Sequence, residues 1–176
     1  MAKTTPVEQL SEETQELYEV LNNESDLACV VIGTAFLDTA LATILERKLI
    51  KSSVSDKLLS HRGALGSFAP RAYLVYCLGL INKKHYRDLC GIDEIRTQFA
   101  HSHLRLSFAN PKVREMCDNL KEWRLLLPHD DDGEVVPGAT EAQLAVRARN
   151  QFKLSVASLS NWLLLKALSL NKDSTA

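Results

Sequence analysis

Glycine and proline are scarce in this chain, at 7 and 5 of its 176 residues, and aromatic side chains make up only 6%. Proteins built from many strands and tight turns draw on all three, so their shortage argues for helices. Cysteine is thin as well. Cys29, Cys77, Cys90 and Cys117 stand far apart with no Cys-x-x-Cys pair, which argues against a thiolate metal cage. No metal and no cofactor are expected. The opening MAKTTPVEQLSEETQELYEV has no apolar core of the kind that directs secretion, so reduced thiols in a cytoplasmic protein are the expectation. Long hydrophobic runs are limited to one, Leu27 to Leu45, which is interrupted by Asp38 and by threonine and glycine. It has no flanking aromatic belt, so a buried core helix is expected rather than a membrane span. Internal repeats, low-complexity tracts and linkers are missing too.

What remains is 45% hydrophobic, rich in Leu and Ala. That content suits one helical domain spanning residues 1–176, with 1–10 and 171–176 as flexible termini. The expected fold is an all-α, single-domain bundle of about seven helices. Ser11-Glu-Glu-Thr14 can cap a first helix to about Leu21. A long helix begins near Ser25, with a stripe through Val30, Leu37, Leu41 and Ile44. Val54 to His61 gives a short third. Gly63, Gly66 and Pro70 mark a loop, and a fourth helix runs from about Arg71 to Leu80. A fifth covers Lys84 to Ala100. Asn110 caps and Pro111 opens a sixth, to about Leu126. The acidic PHDDDGEVVPG, residues 128–138, is taken as a solvated loop, because Pro137 and a missing ligand spoil a calcium loop. The last helix runs from Thr140 to Leu170. Its apolar stripe is wide enough for either a dimer surface or a central position among its own neighbours. Tyr73 and Tyr76 are assigned to the core, and His85, His103 and His129 to the surface.

Net charge is −1, but unevenly spread: −8 over residues 1–46, +9 over 47–114 and −2 over 115–176. A basic middle attracts phosphate or an acidic partner, unless the acidic N-terminal helix covers it. Near-neutral net charge argues against strong autonomous DNA binding, and no helix-turn-helix, zinc finger or basic arm stands out.

The segment DEIRTQFAHS, residues 93–102, holds the chemistry-bearing pair Arg96 and His101. Guanidinium binds phosphate bidentately and imidazole moves protons, so the pair is suited to a 2′-hydroxyl and a phosphodiester. Asp93, three residues before Arg96, is placed for an ion pair on the same face. Arg62 and Arg71 bracket the glycine loop and are candidates, with Gly63, Gly66, Arg96 and His101, for an anion-binding pocket. The alternative is that Arg62 and Arg71 lie along the bundle surface.

The Arg-x4-His spacing resembles the motif of the HEPN superfamily, all-helical bundles that include metal-independent ribonucleases and non-catalytic nucleotide binders. In many active members a polar Asn, Asp or His follows the arginine, whereas Thr97 stands here. A longer run, residues 63–102, is similar to the mannitol operon repressor family. Gly63, Leu65 and Gly66 form a Gly-x-Leu-Gly loop, Tyr76, Leu78, Gly79, Leu80 and Ile81 end an apolar helix, and Arg96 and His101 end the next. The resemblance implies a cytoplasmic, non-enzymatic transcription regulator. It implies action as a homodimer through a protein partner, with direct nucleic-acid contact weak at most. The rival is a HEPN-like endoribonuclease using Arg96 and His101.

Overall fold

The computed structural model describes residues 17–102, 106–126 and 137–170. Within them all regular structure is helical: residues 17–23 (α1), Asp26–Lys48 (α2), Ser53–Leu59 (α3), Phe68–Cys77 (α4), Lys83–His101 (α5), Pro111–Asn119 (α6), a 3₁₀ segment at Glu122–Leu126, and Glu141–Leu170 (α7). The all-α bundle expected from composition is the fold found. His103, His129, residues 1–10 and 171–176, and most of the acidic loop lie outside the described residues.

Two long helices carry the bundle. The Ser25 hydroxyl accepts from the Ala28 amide at the start of α2, with Asp26 in the first turn and Arg47 and Lys48 in the last. This helix is apolar and long enough to cross a membrane, and here it lies against α4, α5 and α7. Cys29, Val30, Leu37, Leu41 and Ile44 are fully buried. At Gly33 a β-carbon would lie only 3.2 Å from Leu21 and 3.4 Å from Val156, so α1, α2 and α7 meet closely there. Arg149 of α7 bonds Asp26 at one end (2.6 Å), and Arg47 bonds the Ala167 carbonyl at the other (2.7 Å). The two helices therefore run parallel. The wide stripe of α7 is taken up by α2, α5, α6 and the 3₁₀ segment, which corresponds to the central-helix alternative.

Four expectations are corrected. First, α4 starts at Phe68 rather than Arg71. Pro70 falls within the first turn, where an amide has no helical acceptor to lose. The helix stops at Cys77 because Gly79 takes φ 67°. The Gly79 amide then donates to the Tyr76 carbonyl, and the Leu80 amide to that of Val75, the glycine-ended cap in which two orphan carbonyls are satisfied. Second, α6 ends at Asn119 instead of continuing to Leu126. The Asp88 carboxylate accepts from the amides of Lys121 and Glu122, both at 2.7 Å. A continuous helix would have given those amides to its own carbonyls. Third, His85 is buried rather than on the surface. Its ring centroid lies 4.3 Å from that of Trp162, and Nε2 is 3.7 Å from Glu122. Fourth, Tyr73 and Tyr76 are not core. Tyr73 is 50% exposed and Tyr76 36%.

Candidate functional site

The run from Gly63 to Ser102 folds as one unit: a glycine loop, α4, a tight turn and α5. Gly63 and Gly66 let the loop close on the end of α3. An added β-carbon at Gly63 would sit 2.1 Å from the Lys57 carbonyl oxygen, and one at Gly66 would sit 2.5 Å from that of His61. Arg71 fastens this loop. Its Nε donates to the Leu65 carbonyl (2.8 Å), one terminal nitrogen to Asp38 (2.6 Å) and the other to the Leu59 carbonyl (3.3 Å). The Asp38–Arg71 pair also joins the acidic N-terminal block to the basic middle. Arg62 is exposed and makes no ion pair among the described residues.

On α4, Phe68, Ala72 and Val75 face the core. One step round the helix, Ala69, Tyr73 and Tyr76 face outward. They meet α5, where Tyr86 stacks on Tyr76 with ring centroids 4.5 Å apart and planes 17° apart. Tyr73 leans on the same ring at 6.1 Å. The neighbouring Cys90 thiol is the main cause pushing the Tyr86 phenol above its usual value. Burial pushes the Cys90 thiol up, partly offset by Tyr86. Beyond the rings the groove opens into a cavity of about 120 Å³, lined by Phe68, Ala69, Ala72, Tyr73, Cys90, Asp93 and Glu94. Tyrosines thus wall one end of the groove and two carboxylates edge the other.

Arg96 reaches back to Asp93, with Nε and a terminal nitrogen at 2.9 and 2.8 Å from the same oxygen. The side chain is still 40% exposed. His101 ends α5 and is exposed. Five residues put it about 140° round the helix and about 7.5 Å further along from Arg96. Among the described residues no hydrogen bond or ion pair joins Arg62 or Arg71 to Arg96 or His101. The six sequence-selected residues therefore fall into a loop group and a helix-end group. What sequence reasoning missed is the tyrosine groove between them. The sequence held only half of the signal: Tyr73 and Tyr76 are three apart and share a helix face, but nothing local to them says that α5 comes against it.

A second polar cluster lies inside the bundle. Glu122 is buried, accepts from Ser158 (3.2 Å) and is 3.1 Å from Lys84. Burial outweighs Glu122 and Asp88 in lowering the His85 pKa. Burial likewise raises Asp88, against the two amides that it accepts. These groups tie α5, the 3₁₀ segment and α7 together. No set of three or more His, Cys, Asp or Glu suited to a metal occurs among the described residues.

A family model described as the mannitol repressor matches residues 13–160. No match was found among curated proteins. Two solved structures share the fold. A chain of the MtlR–HPr complex from Escherichia coli superposes with a TM-score of 0.66 at 20% identity, covering 85% of this chain and 97% of that one. YggD from Shigella flexneri, described as a possible transcriptional regulator, superposes with a TM-score of 0.68 at 15% identity, covering 93% and 99%.

Proposed function

This chain belongs to the mannitol repressor family, and we propose that it controls transcription from the cytoplasm by docking onto a protein partner. The observation that carries this is the solved MtlR of the same fold, held in a complex with HPr. Two features of this chain support it. Its net charge is −1, and a near-neutral balance argues against strong autonomous DNA binding. Tyr73 and Tyr76 are exposed on one face of α4, and aromatic side chains of this kind anchor protein contacts. A homodimer fits the same reading, since Leu27, Val31 and Ile32 leave an uncharged apolar strip on the outside of α2.

The test is titration of the purified chain with HPr from the same bacterium by calorimetry. Saturable one-to-one heat is the expected result. No heat, together with tight, salt-sensitive binding to operator DNA, would overturn the proposal. A ribonuclease of the HEPN kind remains the rival. Arg96 would have to leave Asp93 to hold a phosphate, and His101 would have to be completed by a second copy.

A further inference from the structure

Resting on the docking reading above, we propose that the α4–α5 groove is the contact surface and that it receives a lysine or arginine side chain of the partner. Size limits the occupant first. About 120 Å³ is well below the roughly 300 Å³ and more of sites that take cofactors or small molecules. One unbranched side chain fits. Chemistry limits it next. Tyr73 offers an exposed ring to a cation. Glu94 is exposed and has no ion-pair partner among the described residues. Asp93 lines the same cavity, and Arg96, which pairs with it, does not. A methylene stem along Tyr73 and Ala69 with its charged head at Glu94 would bury apolar surface and pair the charge in one move.

Other exposed apolar faces lack this combination. The outer face of α2, at Leu27, Val31 and Ile32, carries no charge to orient a partner. The apolar strip of Ile50, just before α3, and Val54 and Leu58 on it lies among Lys51, Lys57 and Arg62 with Asp56 as its one acid, a net positive setting that disfavours a basic side chain. The larger cavity between α6 and α7, about 260 Å³, is lined by both signs. Its arginines are already engaged, Arg114 with Glu141 and Arg147 with Asp118.

HPr binding is measured by calorimetry for the full chain and for Glu94→Lys, Tyr73→Ala, Arg96→Ala and Ile50→Glu. Circular dichroism checks each fold. Glu94→Lys and Tyr73→Ala should each weaken binding at least about tenfold, as a truncated central contact does. Arg96→Ala should tighten it, because the competing cation on Asp93 is gone. Ile50→Glu, on the opposite charge environment, should leave it unchanged. A scan of HPr with each surface Lys or Arg changed to Glu should find one substitution that restores binding to Glu94→Lys. If Tyr73→Ala loses its fold, Glu94→Lys and the HPr scan still decide. Full-strength binding by both groove variants would overturn the groove while leaving the docking reading intact. Weakening by Arg96→Ala would make the site an anion site and overturn it as well. No binding by the unaltered chain removes the docking reading itself, and the groove assignment with it.

Discussion

Arg71→Ala should destabilise the fold strongly while Arg62→Ala leaves it unchanged, although both arginines bracket the same loop. The Arg71 side chain is 11% exposed and Asp38 30%. The guanidinium serves three acceptors: Asp38 and the carbonyls of Leu65 and Leu59. Hydrogen bonds to a charged group contribute about 1.5–3 kcal/mol each when well formed. The 3.3 Å contact to Leu59 is the weakest, and partial exposure of Asp38 discounts the pair. Removal also orphans Asp38, whose other oxygen is already buried without a hydrogen bond. The net loss works out at about 2–4 kcal/mol, below the 3–5 of a fully buried pair broken on one side. For a chain of this size each kcal/mol moves Tm by about 2–4 °C, so Tm should fall by about 4–16 °C. Urea unfolding at pH 7 measures the loss directly. Asp38→Asn, and the double variant, complete a cycle whose coupling should exceed about 1 kcal/mol. If Arg71→Ala unfolds within about 0.5 kcal/mol of the parent, as surface substitutions do, the loop is not held by this residue. A ligand role would then be its better explanation.

Gly63→Ala should cost at least about 2 kcal/mol in the same urea assay, because its β-carbon would overlap carbonyl oxygens of Lys57 and Leu58 that are backbone and cannot swing away. Gly79→Ala has open space around it and should cost about 1 kcal/mol, from its positive φ alone. His85 makes stability depend on pH. Its folded pKa lies below the usual 6.5, chiefly through burial, so the unfolded chain takes up the proton first and stability falls as pH drops through about 6.5. Thermal melts between pH 7.5 and 5.5 should show a steeper decline for the parent than for His85→Gln, and parallel declines would refute this. Incubation with single-stranded RNA should give no cleavage that Arg96→Ala and His101→Ala remove. Cleavage lost in both variants would establish the rival enzyme.

Much of the architecture could be read from spacing because it is encoded locally. Asn110 caps where the sequence places it, α2 begins beside Ser25 as its apolar stripe indicates, and the three- and four-residue repeats of α2 and α7 give their buried faces. Misreadings arose where a distant group changed a local outcome. The break after Asn119 depends on Asp88, which is 33 residues away from Lys121 and bonds its amide. His85 looked like a surface residue because its partners, Glu122 and Trp162, come from two other elements. Tyr73 and Tyr76 looked apolar enough for the core, but the core face of α4 is filled by Phe68, Ala72 and Val75. At the candidate site, the Asp93–Arg96 pair was legible from its three-residue spacing. The groove was not, since it needs the antiparallel approach of α4 and α5 that the Gly79 turn imposes.

That turn also explains why the groove can hold its shape without being buried. The two hydrogen bonds at Gly79 and Leu80 fix the α4–α5 connection, and Arg71 fixes the opposite end of α4 against α2. Between these anchors the inner faces of both helices are committed to the core through Val75, Leu89 and Ile92. The outer faces have a lighter packing duty: Tyr73 and Tyr76 rest on Tyr86, and Glu94 has no ion-pair partner among the described residues, so all three keep exposed surface for contact. Tyrosine suits that position: its hydroxyl keeps an exposed ring soluble, and its two rotatable bonds lose little freedom when a partner covers it. A surface held this way binds without reorganising, so the cost of ordering is met in folding rather than in association. Substitutions at Gly79 should therefore weaken docking in proportion to how far they loosen α4, even though the glycine itself need touch no partner.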